Sequence, residues 1–221
     1  NEVNKMLEYG YPGNNILHHA IYNDSKKCVE YLLTKNIDLS KVNKDGNSVL
    51  HIAALRGNYD LAHKLLQLGA SVNCPNNHGD TSLHSAVRSG SYNTVMVIVD
   101  NGGSSAILEK NKYDEIPLHT AAIKKLNYHI VKYLVENGSE IHNVNIYGET
   151  IIKTLMKNHK SVARETIRTY IQRKYYEKYD ESEYNKFLSK FPELRPVTID
   201  TNINEDLEKN YQNYNDKEIN F

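Results

Sequence analysis

A leucine–histidine pair recurs four times in the chain, and its spacing constrains the fold more than any other sequence feature. The pairs are Leu17-His18, Leu50-His51, Leu83-His84 and Leu118-His119, at intervals of 33, 33 and 35 residues. A fixed period of this length is the signature of a repeat protein, in which each unit packs only against its neighbours. The spacing therefore predicts a stack of similar units.

The most regular unit occupies residues 46–77. Ser48 is suited to cap a short first helix that ends at Gly57, and a second short helix ends at Gly69. Each helix has only about two to three turns, and helices below about 12 to 15 residues are marginal alone in water. Each unit must therefore be stabilised by the units on either side.

The next unit along the chain carries a recognisable motif. Thr81, Leu83-His84 and Ala86 follow the pattern T-P-L-H-x-A apart from its proline. On this motif and on its period, the chain resembles the ankyrin repeat family over residues 1–173. The resemblance implies an all-α repeat solenoid, an ankyrin-repeat stack of helix-turn-helix units joined by hairpin-like loops. We expect four full repeats with partial or capping repeats at both ends.

The motif positions divide the chain into seven segments. These are a partial repeat or N-terminal cap at 1–12, repeats at 13–45, 46–78, 79–113 and 114–147, a degenerate capping repeat with extra helices at 148–195, and a polar flexible tail at 196–221. Whether residues 1–12 are a cap or the end of a longer array stays open. Two extra residues after Gly102 predict a loop insertion. In the fourth repeat Asp114 replaces the turn glycine.

The histidines do not form a predicted metal site. Stacked helices stand about 8 to 10 Å apart, whereas zinc–nitrogen bonds are about 2.0 to 2.1 Å long. The four repeated histidines therefore cannot share an ion: His18, His51, His84 and His119. The family resemblance instead implies that these histidines brace the turns. We also find no nucleophile and base at a spacing that indicates a shared site, and no Gly-rich phosphate loop. We therefore predict no cofactor and no enzymatic activity.

Charge is uneven although the formal net charge is zero. Residues 153–178 contain eight basic and two acidic side chains, and residues 179–221 contain five basic and ten acidic ones. Tyr170, Tyr175 and Tyr176 interleave with the basic residues, a combination that can bind phosphates and stack bases. We favour a solvated helix face that the acidic tail partly neutralises, and do not expect nucleic-acid binding.

Localisation follows from weaker signals. The sequence has no run of 18 apolar residues, so we expect no membrane insertion. Repeat register separates Cys28 on an outer helix from Cys74 in a loop, which favours free thiols in a reducing compartment, the cytoplasm or the nucleus. The abundance of Asn, Ile, Lys and Tyr is consistent with an A+T-rich genome of a protist, virus or intracellular bacterium. For a pathogen, the host cytoplasm and a role as a host-directed effector or inhibitor would follow.

The family resemblance also implies where a partner binds, because ankyrin arrays usually contact partners through loop tips and inner helices on the concave side. The corresponding tip positions are Asp45, His78, Tyr113 and Tyr147, and the inner-helix positions are Tyr22, Leu55, Arg56, Arg88, Ile123 and Lys124. Tyrosine and arginine are enriched among interface hot spots. We therefore predict a non-enzymatic, monomeric module that binds a protein or peptide, with the site centred on Tyr113, Ile123, Tyr147 and Arg88.

Two further hypotheses concern specific segments. An adaptor would use the repeats for one partner and dock its C-terminal helices on a larger complex such as a ubiquitin ligase. Residues 163–168 are similar to the start of a SOCS box, but the expected upstream leucine and later L-P-x-P are absent. Ankyrin proteins are also substrates of an asparaginyl hydroxylase, and Asn73 and His142 occupy positions that partly match its preferred pattern.

Overall fold

A computed structural model of the chain describes residues 16–35, 37–123, 127–158 and 162–194. The helices are α1 Ile16–Tyr22, α2 Lys26–Leu33, α3 Val49–Leu55, α4 Tyr59–Gln67, α5 Ser82–Ser89, α6 Tyr92–Leu108, α7 Pro117–Ile123, α8 Tyr128–Glu136, α9 Ile151–Asn158, α10 Val162–Lys178 and α11 Glu181–Lys190, followed by a 3-10 turn at Pro192–Leu194. Strand pairing in these ranges is limited to isolated antiparallel bridges, Val42 with Ser48 and Val144 with Thr150.

The helices form two layers. The inner helices α1, α3, α5, α7 and α9 pack in series, each on the next, and the outer helices α4, α6, α8 and α10 do the same. Each inner helix also contacts the outer helix that follows it, as α3 contacts α4 and α5 contacts α6. This arrangement is an all-α repeat solenoid and confirms the fold class predicted from the sequence.

Local sequence signals explain why these short helices begin and end where they do. The Ser48 hydroxyl accepts from the backbone N–H of His51, whose ring in turn accepts from the Ser48 N–H. Asn58 caps α4 by accepting from the backbone N–H of Leu61. Gly57 follows α3 in the left-handed region, at φ 66°. The first repeat has Asp24 at the corresponding turn, also left-handed, at φ 52°.

The core runs continuously between the two helix layers. The leucines of the repeated pairs, Leu17, Leu50, Leu83 and Leu118, are fully buried within one hydrophobic cluster. Burying a leucine side chain contributes about 1.5 to 3 kcal/mol. The motif that reveals the repeat in the sequence therefore also supplies its packing.

The third repeat corrects one expectation. The extra residues after Gly102 do not form a loop, because α6 continues to Leu108 as a helix of 17 residues. Burial of Ala106 and Ile107 in this extension stabilises the helix against its glycines, each of which costs about 1 kcal/mol relative to alanine. Gly102 also permits close packing, since a Cβ there would lie 2.6 Å from Cγ1 of Val72.

The C-terminal helices cap the stack. Ile167 and Ile171, four residues apart on one face of α10, are buried. Farther along α10, the Tyr175 ring stacks on Phe187 of α11 with centroids 4.6 Å apart. Helix α11 therefore folds back on α10. Residues 1–12, the connection at 124–126 and the tail at 196–221 lie outside the described residues, and the seven segment boundaries stay predictions.

Candidate functional site

Each repeat loop ends in a tight tip that is organised by one asparagine. We define the tips as residues 43–47, 76–80, 111–115 and 145–149, which begin with Asn43, Asn76, Asn111 and Asn145. In each tip the asparagine Oδ1 accepts hydrogen bonds from the backbone N–H groups two and four residues later, at 2.9 to 3.0 Å. The side chain thus satisfies backbone donors that a bend would otherwise leave unpaired.

Neighbouring tips are joined by backbone hydrogen bonds, which we call the tip ladder. The backbone N–H of Asn77 donates to the Asp45 carbonyl at 3.0 Å, and that of Lys112 donates to the His78 carbonyl at 2.9 Å. In the same way the N–H of Ile146 donates to the Tyr113 carbonyl at 3.0 Å. The ladder holds the four tips in one row and places their side chains along one edge of the stack.

The repeated histidines connect each inner helix to the next tip. Nε2 of His18, His51 and His84 lies 2.9 Å from the carbonyl oxygens of Asn47, Asp80 and Glu115 respectively. Burial lowers the pKa of all three histidines, so the neutral ring is favoured. The bracing role that the family resemblance implied is therefore present in the first three repeats.

His119 departs from this arrangement. Ile116 has no hydroxyl at the capping position, and only its backbone N–H donates to Nδ1 of His119, at 3.3 Å. In the part of the chain that the structure describes, Nε2 has no partner within hydrogen-bonding distance. The pKa of His119 is lowered to about 4, mainly because the ring is buried. The nearby backbone of Glu149 acts in the other direction and raises this pKa.

A buried carboxylate engages one of the predicted site residues. Asp80 is 3% exposed, and its Oδ2 accepts from Nη2 of Arg88 at 2.7 Å. Its Oδ1 accepts from Nδ2 of Asn111 at 2.9 Å. Burial alone would raise the pKa of Asp80, but these two bonds and the positive charge of nearby Arg88 act together against it, and the pKa is lowered from its usual value of 3.8. Arg88 is therefore held against the second tip, and only part of its side chain faces solvent. Asp80 in turn links this tip to Asn111 of the third tip.

The remaining predicted site residues lie mainly at the surface. Asp45, His78 and Arg56 are exposed, as are Tyr22 at the end of α1 and Leu55 at the end of α3. Tyr113 and Tyr147 are 42% and 69% exposed on adjacent tips. Ile123 closes α7, although its side chain is not described, and Lys124 lies outside the described residues. The structure thus brings Tyr113 and Tyr147 together.

Sequence reasoning missed two residues beside these tyrosines. Val144 is 45% exposed and Ile146 is 51% exposed, both next to Asn145 in the fourth tip. The equivalent residues are Val42 and Lys44 in the first repeat, Pro75 and Asn77 in the second and Lys110 and Lys112 in the third. Comparing the repeats position by position would have revealed that the fourth tip has an apolar side chain at both positions. Together with Tyr113 and Tyr147 they form what we call the apolar tip patch.

The two candidate hydroxylation residues lie in different settings. The Asn73 side chain donates to the Ser105 hydroxyl at 3.0 Å. Nε2 of His142 lies 3.3 Å from a Glu140 carboxylate oxygen, and both side chains are exposed. Neither position has a feature that tests the modification, so both stay predictions.

The described ranges contain neither a metal-binding cluster nor a membrane-spanning helix. Among these residues, no group of three or more His, Cys, Asp or Glu side chains is arranged to hold a metal ion. No helix there combines the length and the apolar character that crossing a bilayer requires. In the basic segment, Lys157 pairs with Glu149 and Arg173 pairs with Glu177, so acidic neighbours partly neutralise it.

The fold and the row of tips define a helical repeat scaffold that presents a side-chain surface. A family model described as ankyrin repeats, in three copies, matches residues 1–76, 17–106 and 50–146. The chain belongs to the ankyrin repeat family, whose members are generally protein–protein interaction modules and typically not enzymes. Comparison with curated proteins finds no match.

Proposed function

We propose that the chain is a non-enzymatic interaction module that binds a protein or peptide through the tips and inner helices of its C-terminal repeats. The apolar tip patch carries this proposal, because two tyrosines and two aliphatic side chains are exposed on adjacent tips. Aromatic side chains contribute large contact areas and dominate interface energetics. The ladder bond between Ile146 and Tyr113 keeps the patch pre-organised, which reduces the entropy cost of binding.

Electrostatics supports a largely apolar contact. Residues 144–148 carry no charged side chain, and the adjacent Glu149 is paired with Lys157. Burying charged groups at an interface costs desolvation free energy. A partner can therefore cover the uncharged residues of this edge at the lowest free-energy cost. Tyr22, Leu55 and Arg56 extend the proposed surface toward the first repeats.

The adaptor hypothesis has less support. Helices α10 and α11 use their apolar stripes within the cap, where Ile171 and Phe187 are buried. Burial also raises the pKa of Tyr175 to about 12. A docking role would have to use the exposed polar faces of these helices.

We also propose that the protein functions in a reducing compartment, because Cys28 and Cys74 both carry free thiols.

The test begins with affinity purification and mass spectrometry to identify partners, which are then purified for direct binding. The double variant Tyr113→Ala with Tyr147→Ala should reduce binding at least about tenfold, the equivalent of 1.4 kcal/mol. It should leave urea unfolding nearly unchanged, because both side chains are exposed. A matched control is Tyr31→Ala with Tyr176→Ala, which removes two exposed tyrosines from α2 and α10. Equal binding by both double variants would refute the proposed surface.

A further inference from the structure

Two of the tips form an ion pair with the inner helix that follows them. Oδ2 of Asp80 accepts from Nη2 of Arg88 at 2.7 Å, and a carboxylate oxygen of Glu149 accepts from Nζ of Lys157. Each acid is the fourth residue after the tip asparagine, and each cation lies eight residues after the acid. An acidic side chain at this position is thus matched in both tips by a cation from the same repeat.

The third tip has the acid without the cation. Glu115 occupies the acidic position, but the residue eight positions later is Ile123. Glu115 is half-buried, and its carboxylate forms no hydrogen bond or ion pair among the side chains that the structure describes. The first tip needs no cation, since Asn47 and Leu55 hold the two positions. A carboxylate partly removed from water is stabilised by a counter-charge, so Glu115 is open to a cation from outside the chain.

The surroundings of Glu115 suit an arginine side chain. The backbone N–H groups of Tyr113 and Glu115 both donate to Oδ1 of Asn111, at 2.9 and 3.0 Å, so one asparagine fixes the backbone of both residues. The ladder bond from Ile146 to Tyr113 places Tyr147 on the adjacent tip, and both tyrosines are exposed. A guanidinium can form two parallel hydrogen bonds with a carboxylate and can also lie against a tyrosine ring, which an ammonium does less well.

We propose that Glu115 binds an arginine of the partner protein, which completes in the third repeat the ion pair that Arg88 and Lys157 supply in their own repeats. The apolar residues beside this arginine contact the apolar tip patch. The recognised segment therefore has one arginine flanked by apolar or aromatic residues. This inference rests on the proposed function, and it specifies the chemistry of the partner at that surface.

The test uses a random nonapeptide display library panned against the full chain. We expect the selected peptides to share an arginine with apolar neighbours. The best peptide is synthesised in two forms, one with arginine and one with citrulline, which keeps the shape of the side chain but removes its charge. In fluorescence anisotropy the citrulline peptide should bind at least about tenfold more weakly, because a hydrogen-bonded ion pair becomes a neutral contact.

A variant of Glu115 locates the contact. In Glu115→Gln the two peptides should bind within about twofold of each other, because the charge that distinguishes them has lost its partner. This variant should unfold in urea like the unsubstituted chain, since the bonds of Glu115 to Asn111 and His84 use only its backbone. Asp114→Asn is the matched control, because it removes an adjacent exposed charge and asparagine tolerates the left-handed backbone. It should keep the difference of about tenfold between the peptides.

The outcomes separate this inference from the proposed function. Selected peptides without a basic residue, or a citrulline effect of equal size in the unsubstituted chain and in Glu115→Gln, would overturn the ion pair. Loss of the same peptides with Tyr113→Ala and Tyr147→Ala would still support the binding surface. A library that yields no binder, or peptides that neither set of variants affects, would overturn both.

Two results would identify a different occupant. Selected peptides that reproduce part of residues 195–221 would identify the chain's own C-terminal segment, which begins with Arg195. Self-association of the chain that is lost in Glu115→Gln would identify a second copy. Either result would overturn the partner proposal.

Discussion

Replacing the tip asparagines with alanine should destabilise the protein in a graded order that the structure fixes. All of them bond two backbone N–H groups within their own tip, but their Nδ2 groups differ. Asn111 donates to the buried carboxylate of Asp80 at 2.9 Å, and Asn76 donates to the neutral Asn47 amide oxygen at 2.8 Å. Asn43 has no third hydrogen bond among those found within the described residues.

The expected magnitudes follow from these bonds. Losing two tip bonds that water can partly replace should cost about 1 kcal/mol in Asn43→Ala. A further neutral bond adds about 1 kcal/mol in Asn76→Ala, for a total of about 2 kcal/mol. A bond to a charged group adds about 2 kcal/mol in Asn111→Ala, for a total of about 3 kcal/mol. The last variant also leaves the buried Asp80 carboxylate with one fewer donor.

Urea unfolding measures this series. The chain contains 17 tyrosines and no tryptophan, so tyrosine fluorescence and far-ultraviolet circular dichroism are suitable probes. Repeat arrays can unfold in steps, and free energies are therefore compared only where the two transitions coincide. If Asn111→Ala and Asn43→Ala differ by less than about 0.5 kcal/mol, the assignment of the third bond as stabilising is wrong.

Three further predictions concern pH, backbone strain and the basic segment. The pKa of His119 is lowered from 6.5 to about 4 on folding, so its contribution to stability is complete above pH 6.5 and is lost as pH falls toward 4. At pH 5 this loss should be about 2 kcal/mol relative to pH 7, and urea unfolding of His119→Gln should show a correspondingly smaller change. Asp114 holds a left-handed conformation at φ 55°. Asp114→Gly should raise the unfolding free energy by about 0.5 kcal/mol, and a decrease would count against strain at this turn. Single-stranded DNA should not bind the full chain or a variant lacking residues 197–221, and salt-dependent binding measured for either would contradict our interpretation of the basic segment.

Most of the fold could be predicted because it depends on local and periodic signals. The buried leucines, the capping residues and the turn glycines all recur at intervals visible in the sequence. The helical course of α6 through Gly102 could not be predicted in this way. It depends on packing of Gly102 against Val72, 30 residues earlier in the chain, and on burial of Ala106. Such contacts override the low helix propensity of glycine.

The site was less predictable because its contacts are specific to individual repeats. Register correctly placed Tyr113 and Tyr147 in adjacent tips. It could not show that Arg88 is held by Asp80, since this pair occurs outside the repeated motif. The apolar pair in the fourth tip was missed for a similar reason. Val144 and Ile146 lead into a turn and follow neither a helical nor a strand period, so the periodic patterns that reveal the helices do not mark them.

The way in which the tips are stabilised explains how a surface can change without loss of the fold. Within each tip, asparagine side chains satisfy the local backbone donors, and histidines of the preceding inner helix reach the tip carbonyls in the first three repeats. The residue just before the turn glycine contributes only its backbone to the ladder. Its side chain can therefore be aspartate, histidine or tyrosine, as at Asp45, His78 and Tyr113, at little cost in stability. If the proposed function is correct, stability and binding depend on different atoms of the tips. Alanine at Tyr147 should then weaken binding with little change in the free energy of unfolding, whereas alanine at Asn111 should lower the free energy of unfolding.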